Sequence, residues 1–222
     1  MLKGDILNSQ TVENANRDRQ FTRTVLIAGL LLCLITTAPT FGAVQGGSSF
    51  IEKLGKQVIT VLQTSGGKRE TSILRFEALF ADSFDVPFIA RAALGRHARK
   101  LNGSAAQDYE AAFSDYVVSL YAAKFAEYAG QSFVVTGEKQ VAEKTALVSA
   151  RLRGDANQAT DLGFVVHRNV GGDLKIIDVT VAGVSLLVAK RSEFASVISR
   201  RGLPALTALL REKTTQLRSA SS

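Results

Sequence analysis

Few side chains in this sequence have the types and spacing that chemistry needs. The two histidines, His97 and His167, stand far apart, and a metal centre asks for clustered His, Cys or carboxylates at ligand spacing. His167 alternates with Val166 and reads as a half-exposed strand residue. His97 sits among Arg91, Arg96, Arg99 and Lys100 and reads as solvated. Ser185 has no histidine beside it to raise its nucleophilicity, and the single cysteine, Cys33, lies in an apolar N-terminal run. There is no nucleophile elbow, phosphate loop, dinucleotide fingerprint or zinc-protease motif, so no cofactor or metal is implied. Asp178 is the one acid with two readings. On the wall of a cavity it is a general base; at a chain junction its carboxylate accepts the amides of Gly183 or Val184 while Ser185 caps the helix that follows.

Asp178 and Ser185 lie where the hydrophobic period changes. Ile177, Val179 and Val181 alternate as one face of a strand, Gly183 interrupts, and an amphipathic helical pattern follows to about residue 200. Upstream, Phe50, Leu54, Val58 and Val61 repeat at helical spacing, and Ser49 with Glu52 is the expected capping box. A second helix is predicted over residues 72–81. A third is capped by Asp85, carries Pro87 in its first turn and ends before Gly95. The strongest helical pattern covers residues 104–130, with Tyr109, Phe113, Tyr116, Val117, Leu120 and Tyr121 on one face. The period then becomes two, over residues 133–136, 146–153, 162–168 and 174–181. In the second of these strands Ala146, Val148, Ala150 and Leu152 share one face, and Ser149, Arg151 and Arg153 the other. A last helix follows Gly202 and Pro204. Helices, then strands, then helices define an α+β class: a twisted, mostly antiparallel four-stranded sheet with helices packed on its apolar face.

The chain has 222 residues, 46% hydrophobic and 21% charged, which excludes a disordered chain. Arg17, Arg19 and Arg23 precede an apolar run, V-L-I-A-G-L-L-L-C-L-I, and small residues through Ala43. That order predicts a signal peptide over residues 1–43, with a signal anchor disfavoured because the run is short for a bilayer. Residues 44–222 then form a single domain without thiol or disulfide. The formal charge is +7, and four basic against three acidic side chains in the leader leave +6 on the remainder. Such a surface suits anionic membranes or acidic partners. Export and the lack of interleaved aromatics argue against nucleic acid.

The Asp178, Gly183, Val184, Ser185 spacing resembles the C-terminal signature of the MlaC family, the toluene-tolerance and HpnM-like group of periplasmic phospholipid-binding proteins. The resemblance extends over Phe84-Asp85, Leu94-Gly95 and the Y-E-A-A-F-S-D-Y helix. It implies a monomeric periplasmic carrier of a phospholipid or hopanoid-type lipid, with a lipid-sized hydrophobic cavity. The implied partners are an inner-membrane ABC transporter complex and an outer-membrane lipoprotein complex. It also implies that the protein is not an enzyme. Exposing a 16-carbon chain to water costs about 12 kcal/mol at about 0.8 kcal/mol per methylene, so a lipid crossing an aqueous gap needs an apolar container. The candidate lining residues are Tyr116, Leu120, Val148, Ala150, Phe164, Val166, Ile177, Val179, Val181 and Val184, with Asp178, Gly183 and Ser185 as structural signature. Two other readings stay open: an enzyme using Asp178, and a ligand-free envelope adaptor.

Overall fold

A computed structural model describes residues 44–64, 69–125, 132–154 and 159–219. The predicted leader with Cys33, and residues 126–130 at the end of the helix expected over 104–130, lie outside them. In chain order the elements are α1 (Gly47–Thr64), α2 (Arg69–Ser83), α3 (Val86–Leu94), a 3-10 turn (Gly95–Lys100), α4 (Gly103–Phe125), β1 (Ser132–Ala142), β2 (Thr145–Arg153), β3 (Ala159–Arg168), β4 (Leu174–Val181), β5 (Val184–Ser185), α5 (Leu186–Arg201) and α6 (Leu203–Ser219).

The class is α+β, and the strands form one antiparallel sheet in the order β1-β2-β3-β4-β5. The sheet has five strands, where the hydrophobic pattern shows four. The fifth is two residues long and carries no periodic signal of its own. Val181 pairs with Val184 across a tight turn at Ala182 (φ 49°) and Gly183 (φ 80°). Two successive positive φ angles are what a two-residue type I′ hairpin requires.

Local signals set several helix ends. The Asp85 side chain accepts from Phe88 N at the start of α3, where Pro87 falls in the first turn, and Gly95 closes the helix. The Ser185 side chain accepts from Val188 N at the start of α5. The expected box of Ser49 and Glu52 is not used. Helix α1 begins two residues before Ser49, and Glu138 on β1 accepts Ser48 N at 2.8 Å, so the cap comes from the sheet. Helix α4 likewise begins at Gly103, leaving Ser104 inside it.

The core is in two parts. In one, Ile51 and Leu54 of α1 cover Val148, Val166 and Ile176 on the sheet. Gly55 stands where a Cβ would come 2.5 Å from Cδ1 of Phe133, so its missing side chain admits that ring. The other part is helical: Tyr109, Phe113 and Tyr116 of α4 pack with Phe76 and Phe80 of α2, Phe194 of α5, and Leu206 and Leu210 of α6. Tyr109 is fully buried and donates its hydroxyl to the Ala90 carbonyl at 3.0 Å. Of the partly buried apolar side chains packed against these cores, Phe84 is shared by both; it stacks on Phe80 at 4.3 Å and bridges to Ile176.

Candidate functional site

The sheet register assembles three apolar rows on one face. They are Ala146–Val166–Ile176, Val148–Phe164–Val179 and Ala150–Leu162–Val181. Ala146, Val148, Ala150, Val166 and Ile176 are buried, whereas Phe164, Val179, Leu162 and Val181 are only half-buried. The expected alternation of Ile177 with Val179 and Val181 needs correction. A β-bulge sets Val165 opposite Asp178 and Val166 opposite Ile176, leaving Ile177 as the extra, unpaired residue. Ile176 therefore takes the core position that simple period-two counting gives to Ile177. Val184 is also displaced from the expected lining: in the short edge strand it is 61% exposed.

The remaining candidates belong to the helical part. Tyr116 is buried in its core, with Leu120 half-buried against it. The Tyr116 hydroxyl accepts from Lys190 Nζ at 3.1 Å, and the same ammonium lies 5.3 Å from the ring centroid and donates to Glu193 at 2.7 Å. Burial opposes the Lys190 charge, but the Glu193 and Tyr116 bonds outweigh it and raise its pKa above the ordinary lysine value. Tyr121, chiefly through burial and against the pull of Lys190, also holds its proton more tightly than a free tyrosine; the Tyr116 and Asp178 groups act in the same direction as burial. Tyr121, Lys190, Tyr116 and Asp178 thus lie close enough to act on one another electrostatically. The i, i+3 pairing of Lys190 with Glu193 was legible in the sequence; their proximity to α4 was not.

The Asp178 carboxylate is bonded on both oxygens. Oδ1 accepts from Val179 N at 2.8 Å and Leu187 N at 3.1 Å, and Oδ2 accepts from the Ser185 hydroxyl at 2.6 Å. The donors differ from the expected Gly183 and Val184 amides because the hairpin carries those residues past the acid and returns the first turn of α5 to it. Gly183 supplies the left-handed turn.

His167 is not the isolated strand residue its surroundings in sequence suggest. Its Nε2 lies 2.9 Å from Oδ2 of Asp85, whose other oxygen caps α3, and this pair ties β3 to the helical part. His97, half-buried, has Arg96 Nε 3.4 Å from its Nε2. Among the described residues no group of three or more His, Cys, Asp or Glu side chains is placed to hold a metal ion. A separate groove of about 610 Å³ runs between α1 and α2, lined by Lys53, Lys56, Arg75, Ala78 and Leu79, away from the apolar rows.

An open antiparallel sheet with apolar rows on one face, and a helical part meeting it through Phe84, defines a recognisable α+β architecture. It is shared by a phospholipid-binding protein from Ralstonia solanacearum, solved in complex with a phospholipid. That structure matches with a TM-score of 0.68 at 19% sequence identity, over 77% of this chain and 98% of its own. A family model described as MlaC protein matches residues 52–212, a span from α1 into α6 that includes the Asp178 junction. The chain belongs to the MlaC family.

Proposed function

We propose that this protein is a periplasmic lipid carrier. It holds the acyl chains of one phospholipid, or of a hopanoid-type lipid, between the apolar rows of the sheet and the helical part. It shuttles that lipid between an inner-membrane ABC transporter complex and an outer-membrane lipoprotein complex. The observation that carries this reading is the division of the apolar interior: two packed clusters meet at Phe84, and the half-buried Phe164, Val179, Leu162 and Val181 keep apolar surface that neighbouring side chains leave partly uncovered. Apolar walls match the bilayer interior without exceeding it, so both loading and release stay accessible. Membership in the MlaC family and the phospholipid bound to the Ralstonia neighbour support the ligand class. The three bonds on Asp178 support a structural role for that acid over a general base.

The test is native mass spectrometry of protein purified from the periplasm. One phospholipid-sized increment is expected, and an apo mass under conditions that preserve lipid complexes would favour the ligand-free adaptor. Export is tested on the same material: N-terminal sequencing should begin near Ala43 or Val44, and reductant should change nothing once Cys33 is removed. Recovery only as a full-length membrane species would reject export with cleavage.

A further inference from the structure

We propose that the seam between α3 and α5 is a docking surface for an anionic lipid bilayer. Residues 86–100 contain Arg91, Arg96, Arg99 and Lys100 and no acid; residues 184–201 contain Lys190, Arg191, Arg200 and Arg201 against a single acid, Glu193. The fold packs these two segments together. Arg191 Nε donates to the Ala92 carbonyl at 2.9 Å, and its Cδ lies 3.2 Å from where a Cβ on Gly95 would stand. The acids bordering the seam are Glu110, paired with Arg91, Glu193 with Lys190, Asp85 with His167, and Asp178 with the Ser185 hydroxyl and the Leu187 amide, which leaves Arg96, Arg99, Arg200 and Arg201 with no carboxylate partner among the described residues. The seam therefore presents a cationic surface.

It also presents apolar side chains. Phe88 is 44% exposed, Val188 57% and Val184 61%. Val188 lies one turn before Arg191 on α5, and Phe88 one turn before Ala92 on α3 with its ring centroid 5.7 Å from that of His167, so both border the contact between α3 and α5. Cations beside exposed apolar side chains suit an anionic bilayer, whose phosphates meet the arginines while apolar tips enter the headgroup boundary. An acidic protein surface would call for the charges without the exposed valines and phenylalanine. Bilayer contact goes beyond lipid carriage, and the two are read separately, one by vesicle binding and the other by bound lipid mass.

The experiment is flotation of the purified protein with vesicles of phosphatidylglycerol in phosphatidylcholine, and with phosphatidylcholine alone. Binding to the anionic vesicles and not to the neutral ones is expected, weakening as salt is raised. Each basic side chain at such a surface contributes roughly fivefold in affinity, so the R96E/R99E double variant should bind roughly 25-fold more weakly or worse. K139E/K144E makes the same change in net charge on the sheet hairpins and should bind within about threefold of the parent. V188S keeps every charge and should still weaken binding severalfold. Melting curves establish that each variant is folded. Equal losses from the two charge-reversal variants would overturn the proposal by showing a response to net charge alone. Failure of the parent protein to bind phosphatidylglycerol vesicles at low salt would overturn it too, and would leave an acidic protein as the occupant of the seam.

Discussion

Asp178 accepts two backbone amides and a hydroxyl, so its charge is matched by donors from the strand, the hairpin and the first turn of α5. Asn at this position keeps one oxygen for the amides and turns an N–H toward Ser185. The expected loss is about 1–2 kcal/mol in thermal or urea unfolding, with lipid content unchanged in the folded protein. Unchanged melting with complete loss of transport in cells would point to chemistry at the acid. Tyr109 gives a pH dependence. Burial first, then the Glu110 charge, push its hydroxyl above the ordinary value of 10.0. Below pH 10 the folded and unfolded chains both keep this proton, and the contribution is complete. As pH rises further the unfolded chain releases it first, so stability falls. Melting temperature should therefore drop above pH 10, with a shallower slope in Tyr109→Phe. That variant should also lose about 1 kcal/mol at neutral pH with its bond to Ala90.

Among the elements, the β4–β5 hairpin carries backbone cost at a known place. Ala182 is the non-glycine residue with positive φ among those described, and Gly183 follows it in the same region. A side chain such as Asn tolerates this conformation better than Ala, and Asn-Gly is a favoured type I′ pair. Ala182→Asn should raise stability by about 0.5–1 kcal/mol, measured as a higher urea midpoint at unchanged slope. Gly183→Ala should do the reverse. A Cβ there would meet nothing within 4 Å, so its cost of about 1–2 kcal/mol would be purely conformational. Equal stability of the two variants would show that the turn relaxes to another geometry.

For the whole molecule, the question is whether the third apolar row faces packed protein or carried lipid. Ala150 is buried in this row, with Val135 beside it on β1 and Leu162 on β3. Ala150→Phe adds a ring to the space above the sheet. If acyl chains occupy that space, the delipidated variant should melt close to the parent while bound lipid falls or shifts to shorter chains. If the space is solid core, overpacking should cost about 1–3 kcal/mol and leave lipid stoichiometry unchanged in what remains folded. The first outcome is expected, because Leu162 and Val181 in the same row remain half-buried.

The α+β order, the bounds of β4, the Asp85 and Ser185 caps and the breaks at Gly95 and Gly183 were all legible before any tertiary contact was known. Each is a local matter, fixed by side-chain period or by a side chain reaching its own backbone within about four residues. Long-range contacts decided the rest. Glu138 takes over the cap of α1 from a strand that only the fold brings near, and His167 finds Asp85 across the join between sheet and helices. The β3–β4 bulge exchanges Ile176 for Ile177 because register depends on what the partner strand presents, which a period of two along one strand does not contain. Lining candidates that look alike in sequence divide for the same reason: Val148 and Val166 are packed beneath α1, Tyr116 is held in the helical core by Lys190, and Val184 reaches solvent at an edge. Hydrophobicity marks all of them as apolar, and only the packing of one element against another decides which surfaces are filled and which stay open.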